Sequence, residues 1–303
     1  MLFVFRVSKL KRIIFYLVGG LFVLIGAVLV MYPFISNYLM SLNQQAEISG
    51  YKQTMENISA EELNKSRDEA RAYNDSLSAQ AVLHDPFSSS EYVQPNKDYE
   101  SLLNLGGDGI MGYIEIDRIS LSLPIYHGSD TRILEKSIIH LPYTSLPIGG
   151  KGTHCVVTGH SGLNYSKLFT DLDRLTEGDI FLVHTLDETL AYEVDQIKTV
   201  LPDVTEDLSI SAENDYFTLV TCTPYGVNTH RLLVRGKRIP YTPEMEEKFK
   251  NTEAISDSTW MAEYKRALII GVCSLAIFLA LVLTVRLIFK RIKKTKAELT
   301  DGK

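Results

Sequence analysis

The sequence predicts a mainly β protein, a closed or nearly closed β-barrel with short helices, placed between two membrane-spanning helices. Two observations carry this prediction. Long uncharged apolar stretches lie towards both ends, and short segments of alternating apolar and polar residues follow one another from about residue 110 to 240. Alternation with a period of two is typical of half-buried strands, and many short strands favour a barrel.

The two apolar stretches run from Ile13 to Ile35 and from Ala267 to Val285. Each is about long enough for a helix to cross a hydrocarbon core of roughly 30 Å. The first exceeds the apolar region of a signal peptide and is followed by no small-residue cleavage pattern, which favours an uncleaved anchor. We therefore expect transmembrane helices at 13–35 and 267–289, with basic tails at 1–12 and 290–303.

Basic residues flank these stretches on one side only and predict the orientation of the chain. By the positive-inside rule both termini are cytoplasmic and the region between them lies outside the cell membrane. Two buried core helices, the alternative, would leave this charge distribution unexplained. The basic residues are Arg6, Lys9, Lys11 and Arg12 before the first stretch and Arg286, Lys290, Arg291, Lys293, Lys294 and Lys296 after the second.

The outside region begins with a polar segment, 36–82, whose composition favours helix. Ser59-Ala60-Glu61-Glu62 fits a capping box at a helix start. Proline, serine, asparagine and glycine then predict a loop at 83–109. The barrel is expected at 110–240, and a polar juxtamembrane linker at 241–266. The net charge of −6 argues against a nucleic-acid-binding surface.

The predicted strands are separated by glycine- and proline-containing turns, and one short helix is expected among them at Leu168–Leu175. The strands are predicted at Met111–Tyr126, His154–His160, Asp179–Leu186, Leu190–Leu201, Tyr216–Cys222 and Arg231–Ile239.

Alternation along the last two strands places Cys222 beside Arg231. If Phe217 and Leu219 face the core together with Leu232 and Val234, Cys222 and Arg231 fall on the opposite face. Antiparallel pairing across the connection TPYGVNTH then makes them neighbours, although a slip of one residue would invert the faces. A fixed positive charge favours the thiolate, which is the nucleophilic form of cysteine.

The residues alone leave several interpretations of this cysteine open. A cysteine on a strand is often a small buried hydrophobic residue, and a disulfide between Cys155 and Cys222 is compatible with their spacing. No C-x-x-C or H-x-x-x-H spacing occurs, so we expect no metal site and no cofactor. His160, at the end of an apolar strand and before a glycine turn, is the best candidate base; His230 is interpreted as a loop residue.

Three of these segments together resemble the sortases, the membrane-anchored cysteine transpeptidases of Gram-positive cell surfaces. Thr218-Leu219-Val220-Thr221-Cys222 matches the TLxTC signature of that family, and Thr158-Gly159-His160 matches its TGH sequence. Arg231 corresponds to the essential arginine on the following strand. The resemblance covers about Met111 to Ile239 and implies a closed eight-stranded barrel with His160, Cys222 and Arg231 as catalytic residues.

Further features resemble class C, the pilin-polymerising sortases. They are the extended sequence TCTPYGVNTHRLLVRG, the second apolar stretch, and Asp85-Pro86-Phe87 in the predicted loop. Class C enzymes carry an Asp-Pro-aromatic lid over the active site. The resemblance implies that Asp85 pairs with a basic group such as Arg231 and that Phe87 covers the Cys222 sulfur.

The activity implied is cleavage of an LPxTG-type sorting signal between Thr and Gly through a thioacyl enzyme. The partners implied are pilin subunits carrying such signals, with a pilin lysine as the acceptor. Two alternatives stay open at this stage: a sortase that anchors proteins to the cell wall through a peptidoglycan amine, and a non-catalytic barrel that binds a surface partner.

Overall fold

The computed structural model describes residues 9–77, 85, 87, 97–128, 130–256 and 258–301. The chain divides into two compact units, Met1–Ile255 and Ser256–Lys303. The helices are α1 (Lys9–Asn57), α2 (Ala60–Ser76), α3 (Lys97–Ser101), α4 (Pro243–Lys250) and α5 (Thr259–Asp301). The strands are β1 (Ile110–Ile116), β2 (Leu121–Tyr126), β3 (Ile138–His140), β4 (Thr153–Thr158), β5 (Ile180–Thr185), β6 (Glu188–Val200), β7 (Asp215–Thr223) and β8 (His230–Ile239).

In the described part of the chain these strands form one closed barrel in the order β1-β2-β3-β4-β7-β8-β6-β5. The β5 strand pairs with β1 and closes it. Neighbours are antiparallel except for β2 with β3 and β4 with β7, which are parallel. The prediction of a closed β-barrel of eight strands is confirmed. Closure leaves no unpaired sheet edge.

The barrel interior is filled by one side of each strand, as the period-two pattern predicts. Phe217, Leu219, Leu232 and Val234 all belong to this interior cluster and are 6% exposed or less. The register predicted for β7 and β8 is therefore correct. The opposite side of the same strands carries Cys222.

Helix α1 continues from its apolar stretch into a segment that packs on the barrel. The Tyr51 hydroxyl donates a hydrogen bond to the Met111 carbonyl at 3.2 Å and accepts one from the Leu186 amide at 2.8 Å. Ile48 and Met55, one turn to either side, are buried in the same cluster. These contacts hold α1 against the β1–β5 side of the barrel.

Several sequence-based boundaries need correction. The run Met111–Tyr126 is two antiparallel strands, β1 and β2, because a 3₁₀ turn at Asp117–Ile119 and a left-handed Ser120 (φ 50°) reverse the chain. The short helix is a 3₁₀ helix at Leu168–Arg174. The predicted loop contains α3 and the predicted linker contains α4, whose N-cap is Thr242.

Helices α1 and α5 each contain a segment that is long and apolar enough to cross a membrane. Within Tyr16–Asn57 an 18-residue stretch has a mean hydropathy of 2.4, and within Thr259–Ile288 one has a mean hydropathy of 2.9. Their large apolar side chains are mostly exposed, as expected of surfaces that contact lipid rather than a protein core.

Candidate active site

The strands β7 and β8 bring the predicted cysteine and arginine together. Cys222 and Arg231 are directly opposite each other in the antiparallel register. Both are buried, at 6% and 8% exposure. The arginine is fixed by its own strand end, because Nη1 donates to the carbonyls of Asn228 at 3.1 Å and His230 at 2.9 Å.

The predicted histidine follows β4, next to the cysteine strand. Gly159 extends the pairing of β4 with β7 by donating to the Val220 carbonyl at 3.1 Å. The Thr221 hydroxyl donates to the Gly159 carbonyl at 2.7 Å and so ties the turn before His160 to the residue before Cys222. A Cβ atom at position 159 would lie 2.7 Å from Ile138 Cγ2, which is too close for two carbon atoms. Glycine, which has no Cβ atom, avoids this clash.

Of the three residues predicted to form a lid, Asp85 and Phe87 reach this site, and Pro86 lies outside the described residues. The Asp85 carboxylate accepts two hydrogen bonds from Arg231, from Nε at 2.9 Å and from Nη2 at 2.7 Å. The Phe87 ring centroid lies 5.2 Å from that of His160 and 5.1 Å from the Arg231 guanidinium carbon. Phe87 thus contacts both the histidine and the arginine.

Burial keeps the thiol and the imidazole neutral in this closed arrangement. Burial raises the pKa of Cys222 to about 11; Arg231 lowers this pKa and Asp85 raises it. Burial also lowers the pKa of His160 below its usual 6.5. The lid carboxylate therefore opposes ionisation of the thiol, while the guanidinium that would favour ionisation is occupied by that carboxylate.

A narrow groove with apolar walls, about 20 Å³ in volume in this arrangement, lies on the outer face of the barrel beside Asp85 and Arg231. Four residues of the outer cluster, defined as Leu141, Val156, Leu208, Val220 and Leu233, line it; Val156 does not. Val220 shares the face of Cys222 two residues along β7. The groove is lined by Asp85, Leu141, Thr158, Val200, Pro202, Val204, Thr205, Leu208, Val220, Arg231 and Leu233.

Sequence reasoning missed this groove. Val220 and Leu233 could be placed on the correct face from their spacing to Cys222 and Arg231. Leu141 and Leu208 lie outside the strands and Val200 is the last residue of β6, so alternation along β7 and β8 says nothing about them.

The remaining candidates are placed away from this chemistry. Cys155 and Cys222 are both free thiols, so the disulfide alternative is wrong. Cys155 lies in the interior cluster, and burial raises its pKa well above the usual value. His230 is the first residue of β8, opposite Thr223, so its interpretation as a loop residue is wrong; its Nδ1 atom contacts the Thr229 hydroxyl at 2.9 Å. Within the described ranges, no three histidine, cysteine or acidic side chains are grouped closely enough to hold a metal ion.

Residues 114–239 match the family described as Sortase domain. Sortase C of Streptococcus pneumoniae is 42% identical with a TM-score of 0.61, and the match covers 65% of this chain and 98% of that one. A pilus-related sortase C of Group B Streptococcus is 42% identical with a TM-score of 0.58, over 64% and 97% of the two chains. The chain belongs to the sortase family.

A more distant relative is sortase A of Bacillus anthracis, 25% identical over 227 residues, which are 75% of this chain and 95% of that protein. Membership makes this sortase a cysteine transpeptidase, and its solved relatives place it with class C. The closed barrel of eight strands is the sortase barrel.

Proposed function

We propose that this sortase is a pilin polymerase that joins an LPxTG-type sorting signal to a pilin lysine. The observation that carries the proposal is the bidentate ion pair between Asp85 and Arg231, directly across from Cys222. The Asp85 carboxylate accepts two parallel hydrogen bonds from the Arg231 guanidinium. The same pair of donors also suits a carbonyl or carboxylate group of a substrate. The segment 83–109 is accordingly assigned as a lid.

The reaction begins when the lid leaves, the Cys222 thiol gives its proton to His160, and the thiolate sulfur attacks the threonine carbonyl carbon of the sorting signal. Arg231 donates hydrogen bonds to the carbonyl oxygen as it becomes negative. The carbon–nitrogen bond to glycine breaks, and His160 protonates the departing amine. The product of this half-reaction is a thioester between the threonine and Cys222.

The second half-reaction transfers the acyl group. A lysine amine attacks the thioester carbonyl, His160 accepts the proton that the amine loses, and the carbon–sulfur bond breaks to regenerate the cysteine. The groove above the outer cluster gives the apolar residues of an extended signal a surface on which to bind.

The cellular arrangement in this proposal follows from the two apolar helices. The α1 and α5 segments anchor the enzyme, the basic tails keep both termini in the cytoplasm, and the barrel lies on the outer side. A tethered barrel outside the membrane is where a transpeptidase meets exported pilins.

The experiment is polymerisation of candidate pilins by the full chain in detergent, with the product mapped by mass spectrometry. Wild type is expected to form isopeptide bonds between pilin threonine and lysine, and Cys222→Ala none. Cys273→Ala, at an exposed position on α5, is the matched control and is expected to retain activity. Transfer to a peptidoglycan amine in preference to lysine would contradict the pilin assignment, and polymerisation by Cys222→Ala would contradict the chemistry.

A further inference from the structure

Thr158 carries a buried hydroxyl that the barrel does not use. Thr158 is the last residue of β4 and is 0% exposed. Its Oγ1 atom has no hydrogen-bond partner among the described residues. Burying a hydroxyl without a partner costs stability, and valine has the same shape without that cost.

Other buried threonines of the barrel are satisfied. The Thr218 hydroxyl pairs with His154 Nε2 at 2.7 Å, the Thr221 hydroxyl with the Gly159 carbonyl at 2.7 Å, and the Thr144 hydroxyl with the Leu141 carbonyl at 2.7 Å. Thr158 therefore departs from the pattern of its own surroundings.

The position of Thr158 connects it with the active-site groove. Along β4, Cys155 and Val157 point into the barrel, so Val156 and Thr158 lie on the outer face. Thr158 lines the groove together with Asp85 and Arg231. It is also the register partner of Val220 on β7, two residues before Cys222.

We infer that the Thr158 hydroxyl is a substrate-positioning group that donates a hydrogen bond to a backbone carbonyl of the bound sorting peptide. This inference rests on the proposed function. An extended peptide lying on apolar residues leaves backbone groups that need partners, and a hydroxyl in the groove wall supplies one. Val220, the register partner of Thr158, is two residues from Cys222, and two residues along a strand span about 7 Å. The peptide carbonyl that accepts the hydrogen bond therefore lies about two peptide residues from the scissile bond.

The Thr158 hydroxyl contributes to substrate binding and takes no part in bond breaking or bond formation. It orients the peptide so that the scissile carbonyl reaches Cys222, and it makes no contact with the reacting atoms. Replacing it removes a hydrogen bond from the bound state and, in the free enzyme, removes an unsatisfied polar group. Loss of the hydroxyl is therefore expected to lower activity and to raise the stability of the free enzyme.

The test uses the full chain in detergent with the lid released by Asp85→Ala and Phe87→Ala, and hydrolysis of an LPxTG peptide as the readout. Thr158→Val is expected to lower kcat/KM about fivefold, mainly through KM, and to raise Tm by about 2–4 °C. Thr158→Ser keeps the hydroxyl and is expected to stay within about twofold of the parent in kcat/KM.

If the lid-released parent is active and its Thr158→Val variant has the same kcat/KM, the assignment is overturned. It is also overturned if Thr158→Val and Thr158→Ser lose the same fraction of kcat/KM. A lower Tm in Thr158→Val would show that the hydroxyl stabilises the free enzyme, which also contradicts the inference. A lid-released parent that cleaves no sorting peptide would instead overturn the proposed function, together with the assignment that rests on it.

Discussion

The thiol of Cys222 is held between two opposing charges. Arg231 lies opposite it and favours the thiolate, whereas Asp85 binds the arginine and disfavours the thiolate. Burial adds to the effect of Asp85. Protonation of the Cys222 thiol in this arrangement limits its reaction with electrophiles, because the thiolate is the reactive form.

Substitution of the lid residues is therefore expected to activate the thiol. Asp85→Ala removes the charge that raises the Cys222 pKa, and Phe87→Ala opens the contact with His160 and Arg231. The rate of Cys222 alkylation at pH 8 should rise at least about tenfold, and its pH profile should shift to lower pH, because one pKa unit changes the thiolate fraction tenfold.

The measurement is stopped-flow alkylation followed by peptide mapping, which separates Cys222 from the other two cysteines. Asp75→Ala, an exposed acidic residue on α2, serves as the control for a general change in charge. Identical rates and pH profiles with and without the lid substitutions would remove the gating role from Asp85 and Phe87.

Much of this residue-scale arrangement could be predicted from sequence. Strand alternation alone placed Cys222 beside Arg231 and away from the core. The neutral state of Cys222 and His160 could not be predicted, because it is set mainly by burial, which depends on how distant parts of the chain pack around the two side chains. The role of Thr158 was equally hidden, since a missing hydrogen bond is visible only in three dimensions.

At the level of elements, the helices before and after residues 78–96 are attached to β3 and to the connection that follows it. On the N-terminal side, Asn74 of α2 accepts a hydrogen bond from the Leu146 amide at 2.7 Å and donates one to its carbonyl at 3.4 Å. On the C-terminal side, the Tyr99 hydroxyl of α3 pairs with His140 Nδ1 at 2.8 Å. Asp85 and Phe87 therefore lie in sequence between two helices that are each hydrogen-bonded to the barrel.

Loss of the first attachment is expected to destabilise this region. Asn74→Ala leaves the buried amide of Leu146 without a partner, which costs about 1–3 kcal/mol in free energy of unfolding. Hydrogen exchange of the Leu146 amide should also be faster in Asn74→Ala than in wild type. Asp75→Ala, next in sequence and exposed, is the matched control and should change stability by less than about 0.5 kcal/mol. Unchanged exchange in Asn74→Ala would show that the attachment is dispensable.

The elements differ in how far sequence could define them. The helix start at Ser59 was correctly predicted. The Ser59 hydroxyl oxygen accepts a hydrogen bond from the Glu62 amide at 3.2 Å and caps the start of α2. The three-residue β3 strand was missed, because so short a segment shows no periodicity and exists only through its pairing with β2 and β4. The β1–β2 hairpin was merged into one strand because its turn, Asp117–Ile119, contains neither glycine nor proline.

For the molecule as a whole, buried histidines predict a loss of stability in acid. Burial lowers the pKa of His140 to about 3 and that of His154 to about 4. The unfolded chain, with histidine pKa values near 6.5, binds more protons than the folded chain between about pH 4 and 6.5, so stability rises with pH across this window.

Acidification from pH 7.5 to 5.0 is accordingly expected to cost roughly 2–4 kcal/mol of unfolding free energy. Denaturant unfolding of the full chain in detergent, followed by near-ultraviolet circular dichroism, measures it. His154→Gln removes one of the buried histidines and should make the pH dependence weaker, by less than half because His127 and His160 also have lowered pKa values. A stability that is constant between pH 7.5 and 5.0 would contradict the neutral, buried state of these histidines.

The central claim is that Cys222 carries the acyl group in a transpeptidation gated by Asp85 and Phe87. Its most direct test is intact-mass analysis of the lid-released full chain, quenched in acid during turnover of an LPxTG peptide. The account predicts an adduct with the mass of the peptide up to threonine, mapped to Cys222 and absent from Cys155 and Cys273. Turnover without an adduct on Cys222, or cleavage that persists in Cys222→Ala, would contradict it.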